Sequence, residues 1–85
     1  MKTFRYEVQE ETGLHARPCA LLVRQIGAFQ SQVTLSAKGQ QVEGTRMLAL
    51  MGLGILRGDV ITFQIEGEDE EQAARQLEQF CREHF

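Results

Sequence analysis

The stretch "TGLHARP", residues 12–18, sets a histidine, an arginine and the chain's only proline within four positions. A neutral imidazole is a nucleophile, and a guanidinium fork matches the oxygens of a phosphate. Together His15 and Arg17 can accept a phosphoryl group and hold its charge. The same residues also make an ordinary helix start with His15 as a surface cap, and local chemistry alone leaves both readings open.

The elements that must position them are legible around the motif. Gly13 lets the chain bend sharply. Pro18 suits a first helical turn, where its missing N–H removes no bond. His15 therefore falls at or beside a helix N-cap, next to N–H groups that have no intrahelical partner. Those donors and the helix dipole favour an anion. From Ala16 to Phe29 the apolar residues Cys19, Leu22, Val23 and Ile26 recur at i, i+3, i+4 and i+7, a helical stripe that ends near Gly27.

Elsewhere the period switches. "TFRYEVQ" alternates, with Phe4, Tyr6 and Val8 on one side, and reads as a strand. "SQVTLSA" alternates with Val33 and Leu35 inward, and "KGQ" at 38–40 turns it into "QVEG", so 32–43 reads as a hairpin. "TRMLALMGLG" predicts a short helix with a loop at Gly54, and "VITFQIEG" a strand with Ile61, Phe63 and Ile65 inward. "DEEQAARQLEQFCREHF" predicts a closing helix with the stripe Ala73, Leu77, Phe80 and Cys81, started by a capping box of Asp69 and Gln72. The order β-α-β-β-α-β-α predicts one α+β domain over 1–85. Its antiparallel sheet is covered by helices on one face, an open-faced sandwich.

Composition narrows the function classes. At 85 residues there is room for one domain. The net charge of -3 and the absence of a basic cluster argue against nucleic acid or an anionic membrane as partner. No apolar run approaches the ~20 residues of a membrane span. The opening "MKTFRYEVQEETG" alternates polar and apolar residues without a signal-peptide core, so the chain reads as soluble and cytoplasmic. The two cysteines, Cys19 and Cys81, lie far apart without CxxC spacing, which predicts reduced structural thiols and no metal site. A thiol as close to a helix start as Cys19 is expected to ionise more readily than usual.

"TGLHARPCALLV" closely resembles the phosphorylation-site segment of the HPr family, the histidine-containing phosphocarriers of the bacterial phosphoenolpyruvate–sugar phosphotransferase system. The likeness continues through "LMGLGILRGDVITFQIEGEDEEQA" and covers essentially the whole chain. It implies a four-stranded sheet under three helices. It implies that His15 accepts phosphate through Nδ1 from phosphorylated enzyme I and passes it to A-type components of sugar-specific enzyme II. Arg17 matches the family's phosphate-stabilising arginine. The resemblance further implies a monomer without a cofactor, a stoichiometric relay more than an enzyme with turnover of its own. Partners of the family dock around the first and second helices, which by position selects Ala20, Arg24, Met47, Leu48 and Met51. The residues agree: Leu50 and Leu53 suffice for an inward face, leaving Met47, Leu48 and Met51 partly exposed, and methionines suit a surface that meets several partners.

Several positions depart from the family pattern. A regulatory serine that opens the second helix in many Gram-positive members is Arg46 here, which carries no hydroxyl. Thr45 is then expected to cap that helix, and Glu43 and Gly44 before it are unusual. The family's antiparallel first and third helices would carry Cys81 toward Cys19 and Phe85 toward His15. The runner-up function is a specialised regulatory module whose partner binding depends on His15 phosphorylation. A small-molecule- or RNA-binding domain leaves GLHARP unexplained and lacks the basic and aromatic surface RNA requires.

Overall fold

In a computed structural model describing Met1–Phe85, the elements follow the predicted order: β1 (Lys2–Glu7), α1 (Ala16–Gly27), β2 (Gln32–Ala37), β3 (Gln40–Glu43), α2 (Met47–Gly52), β4 (Val60–Glu66) and α3 (Glu70–His84). The four strands form one antiparallel sheet in the order β1-β4-β2-β3. The two central strands carry the clearest alternation: Ile61, Phe63 and Ile65 of β4 and Val33, Leu35 and Ala37 of β2 are all buried. Phe4 of the edge strand pairs in register with Phe63, and their rings stack at 4.5 Å between centroids. The helices cover that apolar face. Cys19, Leu22 and Ile26 of α1 and Ala73, Leu77, Phe80 and Cys81 of α3 reach into the same core as the inward residues of the sheet. Chain connectivity and burial together give the open-faced sandwich.

The hairpin turn has two residues, Lys38 (φ 54°) and Gly39 (φ 76°), between the paired Ala37 and Gln40. Positive φ at both central positions is the turn whose twist matches antiparallel strands. Beyond β3, the Gly44 amide donates to the Val33 carbonyl at 2.8 Å and draws the backbone against the core. A Cβ there would lie 2.8 Å from Ile26 Cδ1 and 3.1 Å from Leu35 Cδ1, so the unusual glycine is a close-approach site.

Three expectations are corrected. Thr45 does not cap α2: the N-cap is Arg46, without a side-chain cap bond, and the Thr45 hydroxyl faces Glu43 Oε1 at 3.4 Å. Asp69 and Gln72 do not form a capping box. The Asp69 carboxylate turns away from its own helix and accepts the Gln30 amide at 2.8 Å, the Ser31 amide at 2.9 Å and the Ser31 hydroxyl at 2.5 Å. The reach-back is made one residue on, where Glu70 Oε1 accepts the Gly67 amide at 3.1 Å. Thirdly, Cys19 is the expected structural thiol but does not ionise more readily than usual. It is fully buried, and burial pushes its pKa up, outweighing the helix-start field. Cys81, likewise buried, is pushed up to about 12, and the two remain unpaired thiols.

Asp69 thus ties the start of α3 to the turn before β2. The Ser31 hydroxyl first, and the Gln30 amide next, hold its carboxyl below the ordinary carboxylate value. A lowered folded value gives a contribution complete above the ordinary range and lost as pH falls through the folded value. The urea midpoint of Asp69→Asn is expected to lie below that of the unsubstituted protein near neutrality, the gap closing in acid. A gap independent of pH would contradict the ionic character of this tie.

Candidate functional site

The segment before α1 is held by backbone contacts to the loop between α2 and β4. The Leu14 amide donates to the Ile55 carbonyl at 3.2 Å. Gly13 (φ 65°) packs so closely that a Cβ would overlap that same Ile55 oxygen and press within 3.0 Å of Leu56 Cα. Lys38 holds the supporting loop: Nζ donates to the Gly54 carbonyl at 2.7 Å and pairs with the Asp59 carboxylate at 3.3 Å. The Asp59 carboxylate also accepts the Leu56 amide at 2.8 Å, and that bond, with Lys38, keeps its carboxyl below the ordinary value. Reciprocal bonds of Val8 with Asp59 and Gly58 seal the loop to the end of β1.

On this floor His15 is the N-cap of α1, with extended backbone (φ -96°, ψ 176°) and an exposed side chain. Its carbonyl accepts the first helical bond, from Cys19. Its imidazole makes no cap bond, so the helix start is not what the ring is used for. The amides of Ala16 and Arg17 have no backbone acceptor, and Pro18 has no N–H to satisfy. Pro18 itself is buried and anchors the turn. A free imidazole therefore stands beside two unpaired backbone donors and the Arg17 guanidinium, which forms no ion pair. Such a set attracts an anion at the tip of the helix.

A cavity of about 340 Å3 opens at this point, lined by His15 and Arg17 together with Glu10, Leu21, Glu83 and His84. The last four were not singled out from the sequence. Helical spacing carries a signal for His84, which lies one turn beyond the inward Phe80; their rings pack at 4.3 Å. The expectation that the end of the third helix approaches His15 holds through these residues. Phe85 is buried, and its main-chain oxygen accepts the amides of Gln9 and Glu10. No group of three or more His, Cys, Asp or Glu is arranged to hold a metal ion.

The five residues selected by position for docking lie on α1 and α2. Ala20 and Arg24 are exposed, Met47 is half-buried, Met51 borders on exposure, and Leu48 is 85% exposed, while Leu50 and Leu53 turn inward. Leu21 and Leu56 are further exposed apolar side chains, one lining the cavity and the other beside the Gly13 contact. Arg46 is exposed and unpaired at the start of α2.

The helix-tip histidine, the guanidinium beside it and the open-faced sandwich define a class, and the comparisons name it. The sequence family described as "PTS HPr component phosphorylation site" matches residues 2–83, and the chain belongs to that family. Phosphocarrier protein HPr of Xylella fastidiosa is 40% identical over 78 residues, covering 92% of this chain and 88% of that protein. HPr-like protein Crh of Bacillus subtilis is 37% identical over 79 residues, 93% of each. A crystal structure of HPr from Thermoanaerobacter tengcongensis superposes with a TM-score of 0.90 at 35% identity, covering 96% of this chain and 92% of that one. A similar structure from the same organism is of an HPr dimer, so family membership does not by itself carry the expected monomer. No helix of the chain is long and apolar enough to cross a membrane.

Gly13→Ala is expected to lower stability by at least about 2 kcal/mol, through left-handed strain and overlap with the supporting loop. Gly27→Ala, where an added Cβ meets nothing within 4 Å, is the control and should leave the urea midpoint level or slightly raised. Equal midpoints for the two variants would contradict the close approach.

Proposed function

We propose that the chain is a phosphoryl carrier of the phosphotransferase system. In this reading His15 accepts a phosphoryl group from phosphorylated enzyme I and delivers it to the A-type component of a sugar-specific enzyme II, in the cytoplasm and as a single copy. The observation that carries the reading is the exposed, uncapped imidazole of His15 beside the unpaired Ala16 and Arg17 amides. The accepting nitrogen supplies the electron pair of the new P–N bond, while the pair of the broken bond leaves with the donor group. Amide dipoles and the Arg17 guanidinium balance the phosphate's charge, so the exchange needs no cofactor or metal. Delivery reverses the same step. Docking falls to the face of Ala20, Arg24, Met47, Leu48 and Met51, with Leu48 as its exposed apolar centre.

A second reading is favoured by the likeness to Crh together with Arg46: a regulatory module whose partners respond to the phosphorylation of His15. Serine phosphorylation at the start of α2 has no acceptor at Arg46, which leaves the histidine as the site of control. Label that enters the protein but passes to no A-type component would favour this reading over the relay.

With labelled phosphoenolpyruvate and the host's enzyme I, the protein should take up acid-labile label and His15→Ala none. A folded protein that takes up no label sinks both readings. Leu48→Glu should lower kcat/KM for phosphorylation by enzyme I about tenfold, as the loss of a central apolar contact does. Its melting temperature should be unchanged, and an unchanged rate would remove Leu48 from the docking face.

A further inference from the structure

The proposed carrier chemistry uses His15 and Arg17, yet the cavity at the helix tip contains a second imidazole. His84 is the last residue of α3 and is half-buried. Two contacts fix its place. Its ring packs on Phe80 one turn back, at 4.3 Å between centroids. Its neighbour Phe85 is buried, with its amide bonded to the Cys81 carbonyl and its own carbonyl accepting Gln9 and Glu10. The end of α3 is thereby sewn to the segment that leads into the His15 loop.

Charge within the cavity is arranged asymmetrically. The acids are each engaged through one oxygen: Glu10 Oε1 faces the Thr12 hydroxyl at 3.5 Å, and Glu83 Oε2 accepts the Gln79 amide at 3.1 Å. The donors are not. Neither Arg17 nor His84 forms an ion pair, and the His84 ring nitrogens have no hydrogen-bond partner in the protein. A ring nitrogen left unsatisfied at the mouth of an anion site is a donor in waiting for the anion's oxygens.

We propose that His84 is a second phosphate ligand, donating from its ring to an oxygen of the phosphoryl group carried on His15, alongside Arg17. This deepens the carrier reading and rests on it. The phosphoryl group is held between two histidines, one through the P–N bond and one through a charge-assisted hydrogen bond. His84 neither gains nor loses the phosphorus. It stabilises the phosphorylated state relative to the free one, and so sets how far the transfer from enzyme I runs toward this protein. Glu10 and Glu83 line the same cavity and oppose the phosphate's charge, so a second hydrogen-bond donor to its oxygens offsets them.

The test is the equilibrium of phosphoryl transfer with enzyme I, at fixed phosphoenolpyruvate and pyruvate, for the unsubstituted protein, His84→Gln and His84→Lys. Loss of one charge-assisted bond should lower the equilibrium constant roughly fivefold to tenfold in His84→Gln. His84→Lys, which supplies a flexible donor but not the ring's packing on Phe80, should return it to within about twofold. Equal equilibria for all three proteins overturn the proposal, as does an equal loss in both variants, which would make His84 a packing residue only. In the unsubstituted protein, the His84 ring signals in the NMR spectrum should shift when His15 is phosphorylated, and signals that do not move likewise overturn it. Absence of any label on the unsubstituted protein is a different result: it removes the carrier reading itself.

Discussion

The approach of the Gly13 backbone to the Ile55 carbonyl decides where the first helix begins, and with it where His15 stands. At the end of a helix the backbone runs out of partners, and an anion site is no more accurate than the residue that opens it. Here that residue is set by a loop from another part of the chain. Lys38 from the hairpin turn and Asp59 before β4 clamp that loop, Ile55 receives the Leu14 amide, and the absence of a side chain at Gly13 lets the two backbones touch. The core beneath ties them together, since Leu53 and Ile55 of the loop and Cys19, Leu22 and Ile26 of α1 share one cluster with the inward residues of β2 and β4.

What the clamp delivers is unspent hydrogen-bonding capacity. A guanidinium and two imidazoles line one cavity at the helix tip, where the Ala16 and Arg17 amides are also without a backbone acceptor. The acids of the same cavity, Glu10 and Glu83, are each engaged by a neighbour through one oxygen. A carrier must hold phosphate firmly enough to move it and loosely enough to release it. Pre-set dipoles and mobile cations serve that balance without committing the group to a metal. The burial of Cys19 fits the same arrangement: its thiol faces the core and does not compete as a nucleophile at the helix tip.

Periodicity made the elements legible. Alternation in "VITFQIEG" and the stripe through Cys19, Leu22 and Ile26 are local consequences of a single buried face, so they are readable without knowing the partner surface. His15 and Arg17 were legible because a glycine and a proline bracket them, and the likeness to the HPr family rested on the same residues. What escaped depends on contacts between distant segments. Asp69 looked like a cap because cap and tie use the same residue type, and only Ser31, 38 residues away, distinguishes them. Thr45 has a cap's chemistry but stands one residue too early. For Cys19 the structural-thiol reading holds, and only the expected ease of ionisation fails, because the helix-start field is a sequence-local effect whereas burial is not. Helical spacing puts His84 one turn beyond Phe80, but that it reaches the site depends on the end of α3 meeting the start of α1, which is not local to the sequence.

The central claim is that the histidine at the tip of α1 is the acceptor and that the unpaired amides beside it receive the phosphate. Heteronuclear NMR of isotope-labelled protein, before and after phosphorylation by enzyme I, tests it most directly. The account predicts phosphorus coupled to the His15 ring and the largest amide shifts at Ala16 and Arg17. Phosphorus on His84 or any other residue, or amides of Ala16 and Arg17 that stay in place, would contradict it.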